Sequence, residues 1–217
     1  MYYGCDSSTG TFPCGSDFYL GRLGYGTTSD LTYFNTSAAT TVGSTRTYAY
    51  WGIEGPALDP NYVSPDVTMA DAWGRAQADA FYQARQGNSY VGTNTVFADV
   101  EQDFGGWLDP NVGINKFVNH AVFAGFLNRL SSMWGYTKGV YSSAYQWGLV
   151  MGTQSASPAT VEWAANYPCN PANSGCPKCP TTFAPDEFGG LTASIWQNTG
   201  QPPYSFGDLD VATSLPS

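Results

Sequence analysis

Residues 95–101 read Thr-Val-Phe-Ala-Asp-Val-Glu, a β-branched and apolar run that closes on two carboxylates one residue apart. The run predicts a buried strand over 95–100. Residues two apart on a strand share a face, so Asp99 and Glu101 point together and Val100 points the other way. Two acids crowded at a strand end repel. Glu101 is therefore expected to titrate well above a free glutamate, with Asp99 disfavouring its charged form. Glycoside hydrolysis needs such a separation: one acid to protonate the leaving oxygen, one carboxylate as base, nucleophile or stabiliser.

Outward from this stretch, seven further short apolar runs lie at 2–5, 18–23, 46–51, 138–141, 161–165, 194–197 and near 208–211. Helical spacing separates some of them. Residues 69–85 place Ala72, Ala76, Ala80, Phe81 and Ala84 on one face, and residues 115–134 do the same with Phe117, Ala121, Ala124, Leu127 and Leu130. Asp109-Pro110 precedes the second helix and Gly135 ends it. About eight strands alternating with helices predict an α/β fold, either a closed barrel or an open parallel sheet. Barrel enzymes gather their chemistry at the C-terminal ends of the strands. Asp6 follows the first strand at once, and Asp208 and Asp210 stand in "FGDLDVA" on or after the last. Closure would make first and last strands neighbours and bring Asp6 beside Asp208 or Asp210, so the acids favour a barrel. With 217 residues and no linker, one domain is expected over 1–217, carrying a Cys/Pro-rich insertion at 168–187.

Charged residues make up 12% of the chain, about half the usual share. The surface must then rely on Gly, Ser, Thr, Asn and Tyr, a style common outside cells, and secretion is expected. A net charge of −9 argues against nucleic acid as partner. No apolar run is long enough to cross a bilayer, so no membrane partner is expected. Cys5 and Cys14 are close enough to staple the N-terminal loop. Cys169, Cys176 and Cys179 sit in "YPCNPANSGCPKCP" without a nearby histidine, one ligand short of structural zinc. Disulfides with one cysteine left over are the better reading. Asn35-Thr36-Ser37 has the form of a glycosylation sequon. The single His120 lies inside the second helix and leaves no His-based metal site, and "GRLGYG" lacks the phosphate-loop spacing. No metal and no organic cofactor are expected.

An ordered set of motifs spans nearly the whole chain: "YYGCDSS", "FYLGRLGYG", "TYAYWG", "AQADAFYQA", "VFADVE", "GVYSS", "VEWAANY", "SIWQ" and "GDLDV". Together these resemble glycoside hydrolase family 25, the Chalaropsis-type lysozymes that cleave peptidoglycan as N-acetylmuramidases. The resemblance implies a single, somewhat irregular TIM-like (β/α) barrel acting on peptidoglycan or a related glycan as a monomer. It implies Glu101 as general acid, Asp99 as a positioning carboxylate that modulates it, and Asp6 and Asp208 completing the acidic rim. Tyr141 would line the cleft with Tyr50 and Asp210, and Trp51, Trp163 and Trp196 would be sugar platforms. The sequence departs from the family pattern in having Asp210 where an asparagine is usual. Two other activities suit the same residues: hydrolysis of another N-acetylated polysaccharide, and non-catalytic glycan binding. Four clustered acids favour an enzyme, because binding a neutral sugar does not require them.

Overall fold

A computed structural model describes residues 1–6, 16–63, 65–167, 182–199 and 208–217. Its nine strands are β1 (Tyr2–Cys5), β2 (Phe18–Tyr25), β3 (Thr28–Ser29), β4 (Thr47–Gly52), β5 (Thr95–Asp99), β6 (Thr137–Ser142), β7 (Val161–Ala165), β8 (Ala193–Gln197) and β9 (Leu209–Ala212). Its helices are α1 (Thr36–Val42), α2 (Val67–Gln86), α3 (Asn115–Trp134) and α4 (Ala144–Met151). Strand order is β1-β9-β8-β7-β6-β5-β4-β2-β3, and β1 also pairs with β2, so eight strands close into a barrel with β3 appended to β2. The expected α/β barrel is present.

Its irregularity lies at the seam. Every barrel pairing from β1 through β2, β4, β5, β6 and β7 to β8 is parallel, but β9 runs antiparallel to both β8 and β1. The start of β9, rather than its end, therefore lies at the rim where the parallel strands finish. Asp208 reaches that rim by preceding its strand, and Asp6 N–H donates to the Asp208 carbonyl at 3.3 Å.

Strand alternation divides two cores. On β4, Tyr48 and Tyr50 point into the barrel, while Ala49 and Trp51 face the helices. The barrel interior is filled by Phe18, Leu20, Tyr48, Tyr50, Phe97, Tyr141, Trp163, Ala165, Ile195 and Ala212. Aromatic rings dominate it: Trp163 meets Phe97, Tyr50 and Tyr141 with ring centroids 5.6, 5.5 and 4.2 Å apart. At the opposite mouth, Tyr48 Oη donates to the Pro216 carbonyl and Thr95 Oγ1 to that of Ser217, both at 2.7 Å.

The outer layer is anchored by α2 and α3. Asp66 caps α2 by accepting from the Thr68 and Met69 N–H groups, and Gly135, left-handed at φ 72°, ends α3. The two helices pack backbone to backbone. A Cβ on Gly74 would sit 2.0 Å from the Val122 carbonyl oxygen, and one on Gly125 would sit 2.4 Å from that of Asp71. Gln77, buried in α2, accepts from Glu54 N–H and donates to Glu54 C=O, both at 2.9 Å, which pins the loop leaving β4. Behind β7, Glu162 is buried and accepts from Phe188 N–H at 3.1 Å.

Candidate active site

The rim is built by strand ends. Asp99 ends β5 with 4% of its surface exposed, and its carbonyl accepts from Ile53 N–H at 2.9 Å. The backbone stays extended at Glu101 (φ −135°, ψ 150°), so Asp99 and Glu101 share a side while Val100 is buried among the helices. Trp107 fixes the exit by donating its indole N–H to the Glu101 carbonyl at 2.9 Å. Gln146 on α4 accepts from Gln102 N–H at 3.0 Å on the next turn. Gly52 ends β4 without a side chain, and Phe104 lies where its Cβ would be. Phe104 in turn stacks on Tyr25, with centroids 6.4 Å apart. Beside them Arg22 lies 3.6 Å from the Tyr33 ring centroid and 3.7 Å from Asp30.

Across the mouth, a hydrogen-bond chain joins β6, β8 and β1. Tyr141 donates to Gln197 Oε1 at 2.5 Å, as does Tyr167 at 3.3 Å, and Gln197 Nε2 donates to Asp6 Oδ2 at 2.9 Å. One layer lower, Asp210 accepts the Trp163 indole N–H at 2.8 Å. Sequence reasoning selected Tyr141 and Asp6 but not their bridge. The signal for Gln197 was an amide closing an apolar strand.

Electrostatics distinguish the acids. Burial, followed by the charges of Asp103 and Asp208, lifts Glu101 to about 7. The expected rise is present with burial as its leading cause, and the repulsion between Glu101 and Asp99, mutual by nature, appears in the raised Asp99. Burial first, then Glu101, holds Asp99 well above the carboxylate range, with Arg22 pulling it back. Burial raises Asp208 to about 6. Asp6 is pushed well up by burial, Asp210 and Asp208, against the Gln197 hydrogen bond. Asp210 is also raised, by burial and then Asp208, with the Trp163 hydrogen bond opposing.

Asp6, Asp99, Glu101 and Asp208 therefore meet at one rim, as the sequence suggested, with Tyr141 and Tyr50 below them. The three expected tryptophan platforms are corrected by burial. Trp51 is fully buried among the helices, edge-on to Phe81, with its N–H on the Gly26 carbonyl. Trp196 is buried against Phe183 with its N–H on Asn166. Trp163 forms the floor below Tyr50 and Tyr141. Asp210, 1% exposed, lies beneath the rim and cannot touch a sugar from above. Accessible rings stand elsewhere: Tyr25, Phe104, Trp107 and Tyr167 are each partly or largely exposed at this end of the barrel. His120 is structural, its Nε2 2.6 Å from the Ser157 carbonyl oxygen. Among the described residues no group of three or more His, Cys, Asp or Glu could hold a metal ion, and no helix is long and apolar enough to cross a membrane. Ser8, Cys14, Cys169, Cys176 and Cys179 lie outside the described residues, and with them the expected disulfides and most of the 168–187 insertion.

No protein-family model matches the chain, and no curated protein matches it. Solved structures do. A muramidase from Trichobolus zukalii superimposes with TM-score 0.61 at 19% identity, over 99% of this chain and 95% of that one. The lysozyme from Streptomyces coelicolor gives 0.61 at 18% identity, over 98% and 92%. A family GH25 lysozyme from Aspergillus fumigatus gives 0.57 at 19% identity, over 99% and 93%. Across nearly its whole length, this chain has the barrel fold of these lysozymes and muramidases.

Proposed function

We propose that the protein is a secreted, monomeric glycoside hydrolase that cleaves peptidoglycan at the β-1,4 bond between N-acetylmuramic acid and N-acetylglucosamine. The observation that carries this reading is the convergence of Asp6, Asp99, Glu101 and Asp208 on one rim, with Glu101 held near 7. Its neighbours in fold, described as muramidases and lysozymes, support the choice of glycan.

The chemistry follows from the ionisation states. Below about 7 Glu101 keeps its proton and can pass it to the glycosidic oxygen as the C–O bond breaks. Above about 6 Asp208 is ionised, and a carboxylate facing the sugar stabilises the positive charge developing at its anomeric carbon. Water then adds to that carbon and gives its proton to the Glu101 carboxylate, which restores the acid for the next cycle. Activity should be greatest between these two values: Glu101 loses its proton above the window, and Asp208 gains one below it.

The test is reducing-end release from purified peptidoglycan by wild type and Glu101→Gln, with products identified by mass spectrometry. Products ending in reducing N-acetylmuramic acid, reduced on the order of a hundredfold or more in the variant, are expected. No release by wild type between about pH 3 and 8, on either side of the useful carboxylate range, rejects the muramidase assignment. Cleavage of chitin instead would move the substrate to another N-acetylated polysaccharide.

A further inference from the structure

At the rim and just beneath it, Asp6 and Asp210 each keep one buried carboxylate oxygen without a hydrogen-bond partner among the described residues. Gly4 pairs with Asp210 across the antiparallel β1–β9 ladder. Asp6, two residues beyond Gly4, is thus the diagonal neighbour of Asp210 on the same face. That face is the barrel interior, since Asp210 meets Trp163 there and a Cβ on Gly4 would strike the Phe18 ring.

Among the described residues the donors of this cluster are as follows. Tyr141 and Tyr167 O–H groups go to Gln197 Oε1, the Gln197 amide goes to Asp6 Oδ2, and the Trp163 N–H goes to Asp210 Oδ1. Asp6 Oδ1 and Asp210 Oδ2 are buried and have no hydrogen-bond partner among the described residues. An ionised carboxylate only accepts, and two such oxygens buried together are unfavourable both as unsatisfied acceptors and as like charges. A single added proton cures both faults.

We propose that Asp6 and Asp210 share one proton between Asp6 Oδ1 and Asp210 Oδ2, making Asp210 a positioning residue that holds the rim acid Asp6 in place. The proton completes a chain of hydrogen bonds from Tyr141 and Tyr167 through Gln197, Asp6 and Asp210 to Trp163. The pair titrates as a unit, and neither residue owns the proton. Burial and neighbouring charge act in the same direction on both groups, Asp210 and Asp208 on Asp6 and Asp208 on Asp210. Among the described residues, the other titratable or charged groups around the pair are Asp208 on the β9 side, Asp99 ending β5 and Glu101 after it, Arg22 on β2, Tyr50 on β4, Tyr141 on β6 and Tyr167 after β7. Of these only Arg22 is cationic, and it is stacked on Tyr33 and paired with Asp30.

Carbon NMR of the aspartate carboxyls tests this without substrate, so it can fail while the hydrolase assignment stands, and the reverse. In wild type, the Asp6 and Asp210 resonances should titrate in two coupled steps that appear in both signals, one proton persisting above the ordinary carboxylate range. Asp210→Asn supplies an amide donor in place of the proton and removes the opposing charge. Asp6 should then ionise lower by about one pH unit or more. Asp6→Asn should do the same to Asp210. Should either variant fold poorly, the wild-type titration alone decides. Two independent ionisations in the ordinary range, or a surviving aspartate indifferent to its partner's replacement, would overturn the shared proton.

Discussion

Replacing Asp103 with asparagine should move one side of the pH profile and leave the other in place. Asp103 stands exposed on the short turn after β5, and after burial it is the leading contributor to the raised Glu101. Two unit charges about 6 Å apart at an effective dielectric constant of about 60, suited to an exposed group beside a half-buried one, interact by about 1 kcal/mol, or about 0.7 of a pH unit. Neutralising Asp103 should therefore lower Glu101 from its value of about 7 by roughly that amount. At pH 7 the protonated share then drops from about one half to about one sixth, a roughly threefold loss of rate. Near pH 5 Glu101 is protonated in both proteins, so their rates should agree. The acid side, set by the buried Asp208, should stay where it is. The assay is initial-rate hydrolysis of a short soluble glycan across pH, so that wall charge does not enter. Molar salt should shrink the difference by screening the exposed charge. Superimposable alkaline limbs would refute either the role of Glu101 as the acid or the electrostatic origin of its shift. A limb moved upward would refute both the sign and the assignment.

Two predictions concern stability. In Gly74→Ala the new methyl meets the Val122 carbonyl across the α2–α3 contact, where neither backbone can yield cheaply. A loss of about 1–3 kcal/mol is expected, read as a fall of several degrees in calorimetric Tm; an unchanged Tm would mean the helices separate freely. Glu162 is lifted by burial from 4.5 to about 8, with the Phe188 N–H partly opposing. The folded state thus holds a proton that the unfolded chain releases. Its contribution is whole below about 4.5 and is lost as pH rises through about 8. Glu162→Gln should lose less Tm than wild type between those limits, and parallel curves would show that the carboxyl is not titrating there.

Strand positions were legible because the barrel interior and the helix layer both demand apolar side chains, leaving runs such as "TVFAD" and "TYAYWG" with few alternatives. The long helices were legible from apolar residues at helical spacing, but their buried faces were misplaced: Ala72 and Ala76 are exposed while Ala70, Trp73, Ala78 and Phe81 face the core, and Phe117 is exposed on α3. The shorter elements were not. α1 and α4 span only about two turns and owe their starts to the Asn35 and Ser143 caps rather than to periodicity. The Asn35 side chain read as a sequon is in this fold a cap that accepts from Ala38 N–H. The reversed direction of β9 carries no local signal at all, because alternation reads the same both ways along a strand. Trp51, Trp163 and Trp196 misled for a related reason: an indole in a strand suits a sugar or a core equally, and only the packing of Phe81, Tyr141 and Phe183 decides. The acids were legible as a set because few other charges surround them, whereas Asp103 lay unselected four residues after Asp99.

The antiparallel seam also governs when the molecule can be finished. Because β9 fits between β8 and β1, ring closure requires residues near 210 to find residues near 4, the most distant pairing in the chain. Such remote encounters carry the greatest loop-closure cost and are expected late in folding. Until then β1 and β8 are open edges, each able to recruit a strand from another molecule. A ribosome-bound or truncated chain lacking β9 should thus have most of its helices and parallel strands and yet aggregate. The same missing strand carries Asp210 and follows Asp208, so maturation of the barrel and assembly of its chemistry are one event.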